Sequence, residues 1–149
     1  MSAGADPSTG RKRVPIEETE IFENFESCAD WIWDQVDGWD WKAQKTVGIQ
    51  LIKAADSINA NLVEGDGRYT SADSVNFFVI ARGSARETRL WLGRAVRRKL
   101  VVEAEGLSQI VAINPGAKQL NLLISFRRGN RSSLTVREDT LGYEFEEDE

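Results

Sequence analysis

The sequence predicts an all-α protein, an antiparallel up-down four-helix bundle with disordered N- and C-terminal tails. Three observations carry that reading. Apolar residues recur in steps of three and four through most of the chain, and no stretch alternates apolar and polar residues at the period of a strand. Glycine-bearing breaks separate the apolar runs, as short connections between antiparallel helices require. The chain has 149 residues, enough for one domain that buries a core without disulfides or metal.

Residues 1–17, with Gly, Ser, Pro and the run Arg11, Lys12, Arg13, lack apolar periodicity and are expected to be disordered. The bundle is placed at residues 18–129. Its first helix carries the stripe Phe22, Phe25, Ala29, Ile32 and Val36, and Gly38 ends or breaks it. The second carries Val47, Leu51, Ala54, Ile58 and Leu62 and stops near Gly65-Asp66-Gly67. Thr70, three residues ahead of Asp73, marks the start of a long third helix over residues 71–99. Its core stripe is Phe78, Ala81, Ala85, Thr88, Leu92 and Val96. The fourth is less regular: Leu107, Ile110 and Val111, then Asn114-Pro115-Gly116, then Ala117, Leu120 and Ile124. Proline removes one backbone hydrogen bond and crowds the preceding turn, so a kink or a break is expected there. Residues 130–149 form an acidic, flexible tail.

Charge is segregated along the chain. Residues 1–41 hold 3 basic and 10 acidic side chains, residues 42–131 hold 15 and 7, and residues 132–149 hold 1 and 7. A basic middle between acidic ends is the pattern of a body that meets polyanions, or of a solvated bundle with charged tails. No stretch approaches the roughly 20 apolar residues of a membrane span, and the polar first ten residues are no secretory signal. A single cysteine, Cys28, excludes an intramolecular disulfide and suits a reducing compartment, so a cytoplasmic location is expected.

With no histidine and one cysteine, the chain lacks Ser-His-Asp and Cys-His triads, histidine-ligated zinc, Glu-x-x-His di-iron sites and iron–sulfur ligation within one chain. It has neither a phosphate-binding P-loop nor a dinucleotide fingerprint. The Gly65-Asp66-Gly67-Arg68 turn reads as a helix–helix connection before it reads as an anion seat. The carboxylates Asp56, Glu64, Asp66, Asp73 and Glu87 follow no known catalytic spacing. The expectation is a protein that is not an enzyme and needs no cofactor or metal. A metal-dependent nuclease using Glu64 and Glu87 is the remote alternative.

Two segments carry a family resemblance: Ser57-Ile58-Asn59-Ala60-Asn61-Leu62-Val63-Glu64-Gly65-Asp66-Gly67-Arg68, and Phe77-Phe78-Val79-Ile80-Ala81-Arg82-Gly83-Ser84-Ala85-Arg86-Glu87. In that order they resemble the paired motifs of the 23S rRNA intervening-sequence proteins, a four-helix bundle family. That family includes the accessory variability determinant (Avd) proteins of diversity-generating retroelements. The resemblance covers roughly residues 20–128. It implies a ring-like homopentamer without enzymatic activity and, for Avd-like members, binding to nucleic acid and to a reverse transcriptase. The acidic first helix with Trp31 and Trp33, the proline of the fourth helix and the acidic tail depart from the family pattern.

Read physically, Asn61 and Glu64 share a face of the second helix. A polar network linking them and Arg68 with Arg82, Ser84 and Glu87 would fix helix register or a subunit interface. Gly83 admits close approach of another helix. Arg82, Arg86, Arg89 and Arg97 fall within about 80° of one another on the third helix, with Arg94, Arg98 and Lys99 extending the charge. These seven cations are the candidate nucleic-acid or partner-binding residues, although cations near a helix C-terminus also complement its dipole. Phe77, Ile80 and Trp91, off the core stripe, are the candidate oligomer interface. The expected function is a homo-oligomeric bundle that binds nucleic acid, a partner protein or both through this basic surface. The alternative is a structural adaptor for a protein partner alone.

Overall fold

Three side-chain oxygens mark where helices begin. Thr19 accepts from the Phe22 N–H, Asp40 from the Ala43 N–H and Thr70 from the Asp73 N–H, at 3.4, 3.0 and 3.2 Å. Each occupies the position just ahead of the first helical turn, where backbone N–H groups lack intrahelical partners. The structure is a computed structural model and describes residues 14–129. Helix α1 is Glu20–Asp37, closed by Gly38. Helix α2 covers residues 41–66 in three parts: a turn at Trp41–Ala43, a π-helical stretch Gln44–Gly48, and the α-helix Ile49–Asp66. Within the π stretch the Ile49 N–H donates to the Gln44 carbonyl, five residues back. Helices α3 and α4 are Ser71–Arg97 and Glu103–Arg127.

Helix α1 packs on α2 and α4, and α3 packs on α2 and α4, so α1 and α3 stand diagonally across the bundle. Between them lie Phe25, Ile32, Leu51, Ile58, Leu62, Phe78, Leu92, Ile113, Leu120 and Ile124, all buried. Burying side chains of this size contributes roughly 1.5–3 kcal/mol each before entropy is counted. The expected stripes of α1, α2 and α3 are buried apart from Phe22 and Val96, which are half-buried.

Helix α4 differs from expectation twice. Pro115 sits inside one helix and not at a break between two, because the stripe Ile113, Gly116, Ala117, Leu120 and Ile124 is held against the core on both sides of it. Leu107 and Val111, read as core, are 46% and 62% exposed. Gly106 and Ile113 turn inward instead.

At the N-terminus, order begins before residue 18. Residues Ile16–Glu18 form a 3₁₀ turn, Ile16 is buried, and its N–H donates to Asp66 Oδ2 at 3.1 Å. An apolar anchor plus one long-range hydrogen bond holds a segment whose composition alone suggested disorder. Residues 1–13 and 130–149, on which the rest of the tail expectations fall, lie outside the described residues. No described helix is long and apolar enough to cross a membrane.

Candidate functional site

The site is built on the C-terminal half of α3. Along this helix the buried residues Phe78, Ala81, Ala85, Thr88 and Leu92 define the inward direction. At 100° per residue, Arg89 lies only about 60° from the centre of that stripe, whereas Arg86 and Arg97 lie beyond about 120°. Arg89 is accordingly 7% exposed, and it drops out of the accessible basic stripe. Arg82, also near the boundary, is half-buried and donates from Nη1 to Asn121 Oδ1 of α4 at 2.9 Å. What remains open to solvent is Arg86, Arg97, Arg98 and Lys99, with Arg94 half-buried. The Arg94 guanidinium lies 4.6 Å from the centroid of the Trp91 ring.

Lys99 has an unusual backbone. Helix α3 ends with the Lys99 N–H on the Val96 carbonyl and the Leu100 N–H on the Ala95 carbonyl, at 3.1 and 2.9 Å. This paired closure needs a left-handed residue, usually glycine, and Lys99 takes it at φ +58°. Lys99→Gly should therefore stabilise the chain by about 1 kcal/mol in denaturant melts. The same change should weaken any interaction that uses the charge.

Beside the stripe runs a groove between α3 and α4 of about 850 Å³. Its apolar lining is Leu90, Val96, Leu107, Ile110 and Val111, and Arg86 and Glu87 stand among the charged residues around it. Gly93 also lines it, with nothing within 4 Å of where a Cβ would stand. Sequence reasoning missed the groove because Leu107 and Val111, four apart, read as a core pair. Leu90, standing between arginines on α3, was the visible signal.

The single polar network expected from the motif is divided in the structure. Ser84 Oγ and Asn61 Nδ2 both donate to Ser57 Oγ at 2.9 Å, joining α3 to α2. Glu64 pairs with Arg68 just past the end of its own helix, both exposed, and such pairs contribute little. Glu87 accepts from Trp91 Nε1 at 3.3 Å. The division has a geometric cause: Arg82 faces α4, away from Glu64, and its partner Asn121 was not foreseen. Asn121 is 1% exposed within the apolar stripe of α4, and a buried amide in such a stripe is the signal that could have found it.

Of the candidate interface residues, Ile80 is 51% exposed. Phe77 and Trp91 are half-buried, and the Arg68 guanidinium lies 4.5 Å from the Phe77 ring centroid.

The diagonal helix carries the opposite charge. Between α1 and α2 lies a groove of about 470 Å³ bordered by Phe22, Glu26, Asp56, Asn59 and Val63. Asn59 Nδ2 spans it, donating to the Phe22 carbonyl and to Glu26 Oε2, both at 2.9 Å. Loss of water around Asp56, then the charges of Glu26 and Asp30, push its carboxyl above the usual value. Folding therefore disfavours the ionised form. The contribution of Asp56 is intact below its unfolded pKa and is lost as pH rises through the higher folded value. Asp56→Asn should raise the melting temperature at pH 7 and low salt, with the gain shrinking in high salt and below pH 4. Among the described residues, no three His, Cys, Asp or Glu side chains converge as a metal site would require.

A family model described as 23S rRNA-intervening sequence protein matches residues 17–121. The match spans α1, α2, α3 and most of α4, and it contains both motif segments. A search of curated proteins returns no match. With most of its length matched, the chain belongs to the 23S rRNA-intervening sequence protein family.

Proposed function

We propose that this chain is a non-enzymatic, cytoplasmic, homo-oligomeric bundle that binds a nucleic acid through the basic edge of α3, as an Avd-like accessory protein of a retroelement would. The observation that carries the reading is the placement of charge. Arg86, Arg94, Arg97, Arg98 and Lys99 lie along the C-terminal half of α3 and just past its end, while Glu26 and Asp56 border the groove between α1 and α2, near Asp30. Opposite charge on opposite faces also favours head-to-tail contact between copies, the kind that closes into rings. Five copies, as the family resemblance implies, would repeat the basic edge and turn modest contacts into an avid site.

An exposed glycine supports assembly. Glycine in a helix interior costs about 1 kcal/mol relative to alanine. Gly83 has nothing within 4 Å of an added Cβ, so packing inside the chain gives no reason for it. Close approach by a second chain does. Gly83→Leu should stabilise the single chain by up to about 1 kcal/mol and shift the mass in light scattering toward 16.7 kDa.

The apolar groove beside Arg86 favours a second partner of a different kind, a protein such as a reverse transcriptase that inserts an amphipathic segment when no part of this chain covers the groove. The test is light scattering for mass, followed by anisotropy of labelled RNA and DNA duplexes across a salt series. The reading expects a multiple of the chain mass and affinity that falls with salt at a slope of about −0.9 per phosphate neutralised. A single-chain mass with no duplex binding at low salt would overturn it. Assembly without duplex binding would leave the protein-partner adaptor.

A further inference from the structure

The α3–α4 groove constrains its occupant. Leu90, Leu107 and Val111 line it at 50%, 46% and 62% exposure. Covering such surface recovers roughly 25 cal/mol per Å² of apolar area. Arg86 lies beside it, and Arg97, Arg98 and Lys99 follow along α3 and past its end. A fitting occupant carries apolar side chains and negative charge within one short segment.

The chain's own C-terminal sequence has that composition. Leu141, Tyr143 and Phe145 alternate with Glu144 and Glu146, and Glu147, Asp148 and Glu149 follow. In an extended segment alternate residues share a side, so the three apolar side chains would line up opposite Gly142, Glu144 and Glu146. Residues 132–149 hold 7 acidic side chains and 1 basic. The described chain ends at Gly129, at the far end of α4 from the groove. Residues 111–129 span about 27 Å along a helix. Residues 130–140 reach about 36 Å when extended, enough to double back along α4.

We propose that residues 141–149 dock in the α3–α4 groove of their own subunit. Leu141, Tyr143 and Phe145 cover Leu90, Leu107 and Val111, and the carboxylates meet Arg86, Arg97, Arg98 and Lys99. The segment thereby competes with an external polyanion for one surface. That competition rests on the polyanion reading above, whereas the docking does not.

A spin label at Gly142→Cys in the full chain tests the contact. Burial pushes the Cys28 thiol up to about 12, so at neutral pH the label goes to the introduced cysteine. The expected result is broadening of the Leu90, Leu107 and Val111 methyl resonances, relieved when Leu141, Tyr143 and Phe145 are all replaced by serine. Broadening equal in the serine variant, or centred on α1, would overturn the docking. Broadening seen only between differently labelled copies would overturn its placement within one subunit. Duplex affinity in the unlabelled serine variant reads the competition, with a several-fold gain expected. Docking by the label with no change in duplex affinity would overturn the competition and leave the contact standing. Docking with no duplex binding by either form would count against the polyanion reading instead.

Discussion

Gly116→Val should destabilise the protein by about 3 kcal/mol. A Cβ at this position would stand 2.7 Å from Phe25 Cζ and 3.0 and 3.1 Å from Cε1 and Cε2. The Phe25 ring is 2% exposed and cannot swing into solvent to make room. Two opposing terms are in play. A residue other than glycine gains helix propensity, up to about 1 kcal/mol for alanine. Valine gains less and adds two methyls to a closed core, so the steric term wins. Phe25→Leu in the same chain should restore part of the loss. A double-mutant cycle by urea denaturation should show coupling of about 1 kcal/mol or more. Additive effects would mean that α1 and α4 do not meet at this pair.

The same contact explains what could and could not be read from the residues. Helices α1, α2 and α3 were legible because each carries an unbroken stripe and a recognisable stop or cap, such as Gly38, the Gly65–Gly67 turn and Thr70. In α4 Leu107 and Val111, ahead of Pro115, lie on a different side of the helix from Ala117, Leu120 and Ile124, after it. No single stripe predicts which side faces inward, and the close fits of Gly106 against Val96 and of Gly116 against Phe25 fix it. The basic edge was legible as a composition. Its usable part was not, because Arg82 and Arg89 sit at the boundary of the core stripe, where a small rotation of the helix separates burial from exposure. The groove was illegible because it belongs to two helices.

Replacing Arg97, Arg98 and Lys99 together by glutamate should have the largest effect on binding. Each cation that neutralises a phosphate contributes a slope of about −0.9 in log affinity against log salt, so three account for about −2.7. At 0.1 M salt the loss of those contacts lowers duplex affinity on the order of several hundredfold, and repulsion by the introduced carboxylates adds to it. All three side chains are exposed and α3 is anchored by its buried stripe, so helix content should be unchanged in circular dichroism. Arg82→Gln offers the contrast. It loses the bond to Asn121 across the α3–α4 seam and should lower stability more than it lowers the salt slope.

Where a duplex touches the protein is the most direct test of the account, and photo-crosslinking of a short duplex followed by peptide mapping reads it. The account predicts crosslinks within residues 86–99 of α3 and its end, with none on the acidic α1–α2 face. Crosslinks concentrated on that face, around Glu26 and Asp56, or none at salt low enough for binding, would contradict it.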